Sequence, residues 1–303
     1  MIIFLSPGET RLRAGWRLIL HGVIFLFFML LFGAMVVTGS LLAGRSSESV
    51  FEEGAVLLTF LISIPSITLS TLVARRWLDR KSFTSLGFHW GRYSLRDLAV
   101  GILIPGFIMG MIFLVEWAAG WLEIQSFAWE EGPSGDVVLG LLGGLLVYIA
   151  VGYQEELLSR GYQLQNLIEG SNLRIGIFLS SLIFAALHLG NPFTSFRSTV
   201  GLIFAGFFLA YGWVLTKQLW LSIGLHIGWN FFEGNVFGFP VSGTDSFRLV
   251  HHTINGPDWI TGGSFGPEAG FIVLPGMLFG ALLIWTYSEH GRGEHDQLPN
   301  PTA

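Results

Sequence analysis

Gly152-Tyr153-Gln154-Glu155-Glu156-Leu157-Leu158-Ser159-Arg160-Gly161-Tyr162 places two carboxylates and a guanidinium directly after the apolar run Val137 to Ala150. Charge beside hydrocarbon is expensive, so it calls for a partner or a chemical task. On a helix Glu156 and Arg160 are i and i+4, the spacing of an ion pair. Glu155 points about 100° away and need not share that pair. One carboxylate is thus held in place while its neighbour is left to act.

The surrounding composition sets the solvent. The chain has 303 residues, 51% hydrophobic and 12% charged, against about a quarter charged in soluble proteins. This is the composition of an all-α, polytopic integral membrane protein. The absence of cysteine excludes disulfides, thiolate nucleophiles and Cys-held metal. The formal net charge of -5 says little, because placement decides more than the total.

About eight transmembrane helices are expected, each near the length that crosses a bilayer. They are Leu18–Val37, Ala55–Ala74 with Pro65, Leu98–Ala118 with Pro105, Val137–Tyr153, Leu173–Leu189, Thr199–Leu215, Leu219–Phe237 and Ala269–Tyr287. The fourth is expected to continue as an amphipathic helix to about Glu169. Ser171-Asn172 reads as the cap of the fifth, and Gly190-Asn191-Pro192 as its end. Gly39–Gly54, Glu123–Asp136 and Gly238–Glu268 read as loops. The division is then a cytoplasmic segment 1–17, a membrane domain 18–287 with a core at 137–238, and a polar, disordered tail 288–303.

With both termini in the cytoplasm, the inner segments hold twelve Arg and Lys and the outer loops three, leaving Arg160 aside. That bias sets the expected orientation in the cell membrane. The basic run Arg75-Arg76-Trp77-Leu78-Asp79-Arg80-Lys81 reads as a cytoplasmic anchor beside lipid, not a nucleic-acid patch. His21 is expected at headgroup level, and Glu116 at the interface beside Trp117 and Trp121. Glu233 shares a face with His226 and Asn230 and is expected to reach interfacial water. His251-His252 reads as a solvated loop pair.

Two later stretches match the double glutamate in kind. Phe184-Ala185-Ala186-Leu187-His188 ends an apolar run on an imidazole. His226-Ile227-Gly228-Trp229-Asn230 puts an imidazole and a carboxamide on one helix face. Together they can supply what peptide hydrolysis needs: a base for water, an oxyanion partner and a proton for the leaving amine. Glu155 is the candidate base, His188 shares its water, and His226 with Asn230 faces the oxyanion. There is no H-E-x-x-H.

The ordered set E-E-x-x-x-R, F-x-x-x-H, H-x-x-x-N resembles the CAAX-protease and bacteriocin-processing family of intramembrane proteases, which includes the Ras-converting-type prenyl-protein endopeptidases. The resemblance covers about Asp79 to Gly238. Ser159 departs from it, since an aromatic commonly precedes the arginine. The resemblance implies the same roles for Glu155, His188, His226 and Asn230, with Glu156 and Arg160 supporting, and a peptide or lipidated (CAAX-like) protein as substrate. No cofactor is required on the preferred reading. The alternative is a zinc ion on Glu155, His188 and His226 with one position open to water. Two other functions fit the same residues: a proton-coupled transporter, and a non-catalytic membrane scaffold or immunity protein. Membrane lipid is the expected surrounding, and the oligomeric state is not set by the sequence.

Overall fold

The computed structural model describes residues 5–6, 11–44 and 58–291. The proposed tail lies outside these from residue 292, as does most of the Gly39–Gly54 loop; α1 runs on through Leu42 at its start. The principal helices are α1 (Ala14–Leu42), α2 (Ile64–Val73), α3 (Ser94–Ala118), α4 (Ser134–Glu156), α5 (Leu164–Gly170), α6 (Leu173–Leu187), α7 (Phe196–Thr216), α8 (Leu219–Asn230) and α9 (Val273–Thr286).

All eight apolar segments are largely helical where described, but among the described residues they are not clearly eight spans. Four stretches are long and apolar enough to cross a membrane: Ala14–Leu42, Ser94–Ala118, Ser134–Gly170 and Phe196–Thr216. The regular α-helical parts α2, α6, α8 and α9 have 10, 15, 12 and 14 residues, short of the roughly 20 a span needs. Three of them, α2, α8 and α9, are prolonged by wider turns. π-Helical turns at Thr59–Ser63 and Ala74–Leu78 flank α2, and others follow α8 at Phe231–Val236 and α9 at Tyr287–Gly291.

Two expected loops also contain a small sheet. β1 (Leu122–Phe127) and β2 (Val250–Ile254) pair antiparallel, Leu122 opposite Ile254 and Phe127 opposite Val250. The pair His251-His252 is therefore strand, not solvated loop. Successive side chains on a strand point to opposite faces. His252 packs against Phe239 and Phe113, ring centroids 5.0 and 6.1 Å away, whereas His251 Nε2 lies 3.7 Å from Glu131.

The chain divides into two compact units. The first comprises Met1–Phe88 and Tyr153–Gly176, the second His89–Gly152 and Ile177–Ala303. Within the first, α1 meets α2 through His21, whose Nε2 lies 3.2 Å from Thr71 Oγ1 and 3.3 Å from Ser70 Oγ. The His21 ring lies tilted against Tyr162, centroids 4.1 Å apart. His21 is thus a buried interhelical bonder, not a solvated side chain. The basic run is no simple anchor either. Arg75 is buried, and its Nη1 bonds Asp79 Oδ2 at 2.8 Å while Arg17 Nη1 bonds Asp79 Oδ1 at 2.8 Å. Asn166 and Tyr162 add to Asp79, and Arg17 also reaches Glu169. Burying Asp79 demands these partners, since an unpaired buried carboxylate costs several kcal/mol.

In the second unit α8 lies against α3 at backbone distance. A Cβ on Gly224 would stand 2.4 Å from Leu98 O, and one on Gly228 2.3 Å from Ile102 O. Only glycine permits that approach. Around it Ile108, Met109, Phe208, Leu225, Trp229 and Val273 form a buried core. Glu116 lies within this unit, fully buried and not interfacial; neither carboxylate oxygen has a hydrogen-bond partner among the described residues. The chain folds back at once beyond it, Trp121 N–H donating to Glu116 O at 2.9 Å. The cap at Asn172 forms as the sequence predicts, its Oδ1 accepting Ile175 N–H at 3.0 Å.

Candidate active site

The double glutamate closes α4. Glu156 is fully buried and accepts from Arg160 Nη1 at 2.7 Å, with Arg160 itself buried. The i, i+4 pair forms although the helix widens to a π turn at Leu157–Gln163, directly after Glu156. Such turns occur often at functional sites, because the extra residue re-aims the side chains around it. Glu155 is half-buried and lies within electrostatic reach of Arg160. The guanidinium thus feels both carboxylates, where the sequence assigned it to Glu156 alone.

Glu155, Glu156 and Arg160 belong to the first unit. His188, His226 and Asn230 belong to the second.

His188 stands just past the end of α6. Its Nδ1 lies 2.8 Å from Phe184 O. A carbonyl only accepts, so Nδ1 carries the proton and Nε2 is left as the basic nitrogen. Thr194 Oγ1 donates to His188 O at 3.2 Å and fixes the following turn. His226 and Asn230 sit one turn apart on α8, both buried, at 5% and 7% exposure. The Phe184 ring contacts both imidazoles, 4.8 Å from His188 and edge-on at 6.0 Å from His226. A second π turn, Phe231–Val236, begins directly after Asn230. Glu233 within it is fully buried, so it does not reach interfacial water.

One group near the imidazoles is absent from the sequence reading. The segment after α8 returns so that Asn191 Nδ2 donates to Ser242 O at 3.0 Å, and Ser242 Oγ donates to Glu268 Oε2 at 2.5 Å. Glu268 is buried at 5% exposure. Burial pushes its carboxyl above the usual range, opposed by the Ser242 hydroxyl and by the fields of His188 and His226. Its one sequence signal is a glutamate set at the start of the last apolar segment.

A zinc ion needs three protein donors with a fourth position open. Among the described residues no group of three or more His, Cys, Asp or Glu is placed to hold a metal ion. The metalloprotease reading on Glu155, His188 and His226 gains no support.

Comparison with curated proteins gives no match. Residues 137–232 match the family described as Rce1-like, type II CAAX prenyl endopeptidase. That stretch contains Glu155, Glu156, Arg160, His188, His226 and Asn230, and over it the chain is similar to the Rce1-like CAAX-type membrane proteases.

Proposed function

We propose that the chain is an integral-membrane endopeptidase acting on lipid-modified, CAAX-like peptides or other membrane-associated peptides. The observation that carries this reading is that one family match, 137–232, encloses every residue of the ordered motif set. Glu155 accepts a proton from water, and the hydroxide formed attacks the scissile carbonyl carbon. The carbonyl π pair moves to oxygen, which His226 and Asn230 meet as hydrogen-bond donors. His188 Nε2 bonds the same water. Collapse breaks the C–N bond, and the proton taken from water passes to the leaving amine. Glu156 and Arg160 keep the end of α4 fixed for Glu155.

We place both termini in the cytoplasm, on the arginine and lysine asymmetry of the segments. Labelling of an Asn255→Cys variant with an impermeant thiol reagent from the cytoplasmic side would reverse that placement.

The activity test is Glu155→Gln, which keeps size and hydrogen bonding but removes the proton acceptor. Purified wild-type and variant protein are assayed on a fluorogenic, prenylated CAAX peptide in proteoliposomes. A loss of about a hundred-fold or more, the scale of general-base loss, with an unchanged elution profile, supports the reading. Full activity in Glu155→Gln ends it.

A further inference from the structure

The first unit holds a cavity of about 640 Å³ at the start of α1, lined by Arg11, Arg13, Arg17, Trp16, Ile19 and Glu169 among others. No part of the proposed peptidase uses it. Arg11, Arg13 and Arg17 line it with one carboxylate, Glu169, Arg13 Nε donating to Leu5 O at 3.0 Å; Arg75, Lys81 and Asp79 join the same ion-pair network outside the lining. Glu169 alone receives Arg11 at 3.0 Å, Arg17 at 3.1 Å and Lys81, and Asp79 receives Arg17 and Arg75. Among the described side chains of this network Arg11, Arg13, Arg17, Arg75 and Lys81 outnumber Asp79 and Glu169, so its formal charge is positive. Arg17 is 1% exposed, yet its Nε has no hydrogen-bond partner among the described residues.

Two further features point the same way. The cavity is lined by Ala14 and Gly15, the first residues of α1, where backbone N–H groups lack intrahelical acceptors. No side chain of the cap residue Arg13 satisfies them. The amides and the helix dipole favour an anion there. Directly above, Trp16, Ile19, Val23 and Leu26 expose an apolar stripe, 37% to 60% accessible. An anionic head and an apolar body in that order describe a phospholipid. Basic pockets between helices at the membrane surface are known to take such headgroups.

We propose that this cavity is a binding site for the headgroup of an anionic phospholipid, its phosphate on Arg13 and the α1 amides and its acyl chains along Trp16, Ile19 and Val23. The site is independent of the peptidase reading. Occupancy ties down α1 and, through Arg17 and Glu169, the amphipathic helix α5.

The test uses the full chain in detergent, titrated with phosphatidylglycerol, phosphatidylcholine or inorganic phosphate. Retained lipid is read by native mass spectrometry and stability by the apparent unfolding temperature. Two variants are chosen to fold normally. Arg13→Gln removes an exposed side chain. Gly15→Asp adds a carboxylate where a Cβ meets nothing within 4 Å, at a helix start that favours acids. Phosphatidylglycerol is expected to be retained and to raise the unfolding temperature, and phosphatidylcholine to do neither. Each variant should need about tenfold more phosphatidylglycerol, a loss of ~1.4 kcal/mol, while Arg92→Gln, an exposed arginine outside the cavity lining, binds as the wild type does. Equal retention of both lipids overturns the proposal. So does wild-type binding by Gly15→Asp, or a full stabilisation by inorganic phosphate, which assigns the site to a free anion.

Discussion

Arg160 Nη1 lies 2.7 Å from Glu156 Oε1, and both side chains are buried. Neither charge has water to fall back on, so each exists because the other does. Removing one partner strands a buried ion, at about 3–5 kcal/mol, whereas replacing both by apolar groups of similar volume is often neutral. Arg160→Ala is therefore expected to cut the yield of monodisperse protein sharply, and Glu156→Leu/Arg160→Met to recover much of it. Size-exclusion profiles of tagged variants check this. Activity should stay low in the double variant if the pair also aims Glu155. Normal folding of Arg160→Ala would remove the structural role.

The contact of α8 with α3 makes a sharper steric prediction. At Gly228 an added methyl would meet the Ile102 carbonyl oxygen at 2.3 Å. That neighbour is backbone and cannot rotate away, so the helices must part. Gly228→Ala is expected to cost about 1–3 kcal/mol, the usual scale of overpacking. It should also lower activity, because His226 and Asn230 ride on the displaced helix. Gly143→Ala is the control. A Cβ there meets nothing within 4 Å, and alanine is the better helix former by up to ~1 kcal/mol. Its unfolding temperature should hold or rise slightly.

His252 gives the second unit a pH dependence with a defined sign. Burial, then the positive charge of Arg248, depress its imidazole from 6.5 to about 4. Between those values the unfolded chain binds a proton that the folded chain refuses. Stability from this group is present above pH 6.5 and is lost as pH falls towards 4. Because the ring keeps some access to solvent, about 1–2 kcal/mol is expected. His252→Phe keeps an aromatic against Phe239 and Phe113. The fall in unfolding temperature from pH 7 to pH 5 should be smaller in His252→Phe than in the wild type; equal falls would remove His252 as the cause.

The apolar segments were legible because hydrocarbon imposes a crude rule, a run of some twenty apolar residues, and helices form in every such segment. The Glu156–Arg160 pair and the Asn172 cap were legible because both are local, set by spacings of three or four residues. The π turns at Leu157–Gln163 and Phe231–Val236 were not, since one extra residue per turn leaves almost no trace in an apolar sequence. The β1–β2 ladder joins residues more than a hundred positions apart. Its alternation, Leu122-Glu123-Ile124-Gln125, is too short to outweigh the polar punctuation around it. Glu116 and Glu233 were misplaced for a common reason. Charge near a helix end is usually solvated, but here the chain folds back over that end and encloses it. Glu268 reaches the field of His188 and His226 only through the return of a long segment, which no local spacing encodes.

Asn230 offers the most discriminating test of the proposed chemistry. It is a buried carboxamide one turn from His226 on α8, and its proposed work is to donate to oxygen that becomes anionic only as the carbonyl is attacked. A contact that strengthens in the transition state acts on kcat and hardly on KM. Asn230→Ala is expected to lower kcat by about a hundred-fold, the scale measured for single oxyanion donors, with KM little changed. Asn230→Asp separates donation from packing. It keeps the shape of the side chain, but its ionised carboxylate accepts and cannot donate. It also sets a negative charge against a developing one, so its loss should equal or exceed that of Asn230→Ala. A packing residue would behave oppositely, with the aspartate variant nearer the wild type than the alanine one. Steady-state kinetics on the prenylated peptide, with the elution profile of each variant as the folding check, decides between them. Wild-type kcat in Asn230→Asp would remove Asn230 from the oxyanion site.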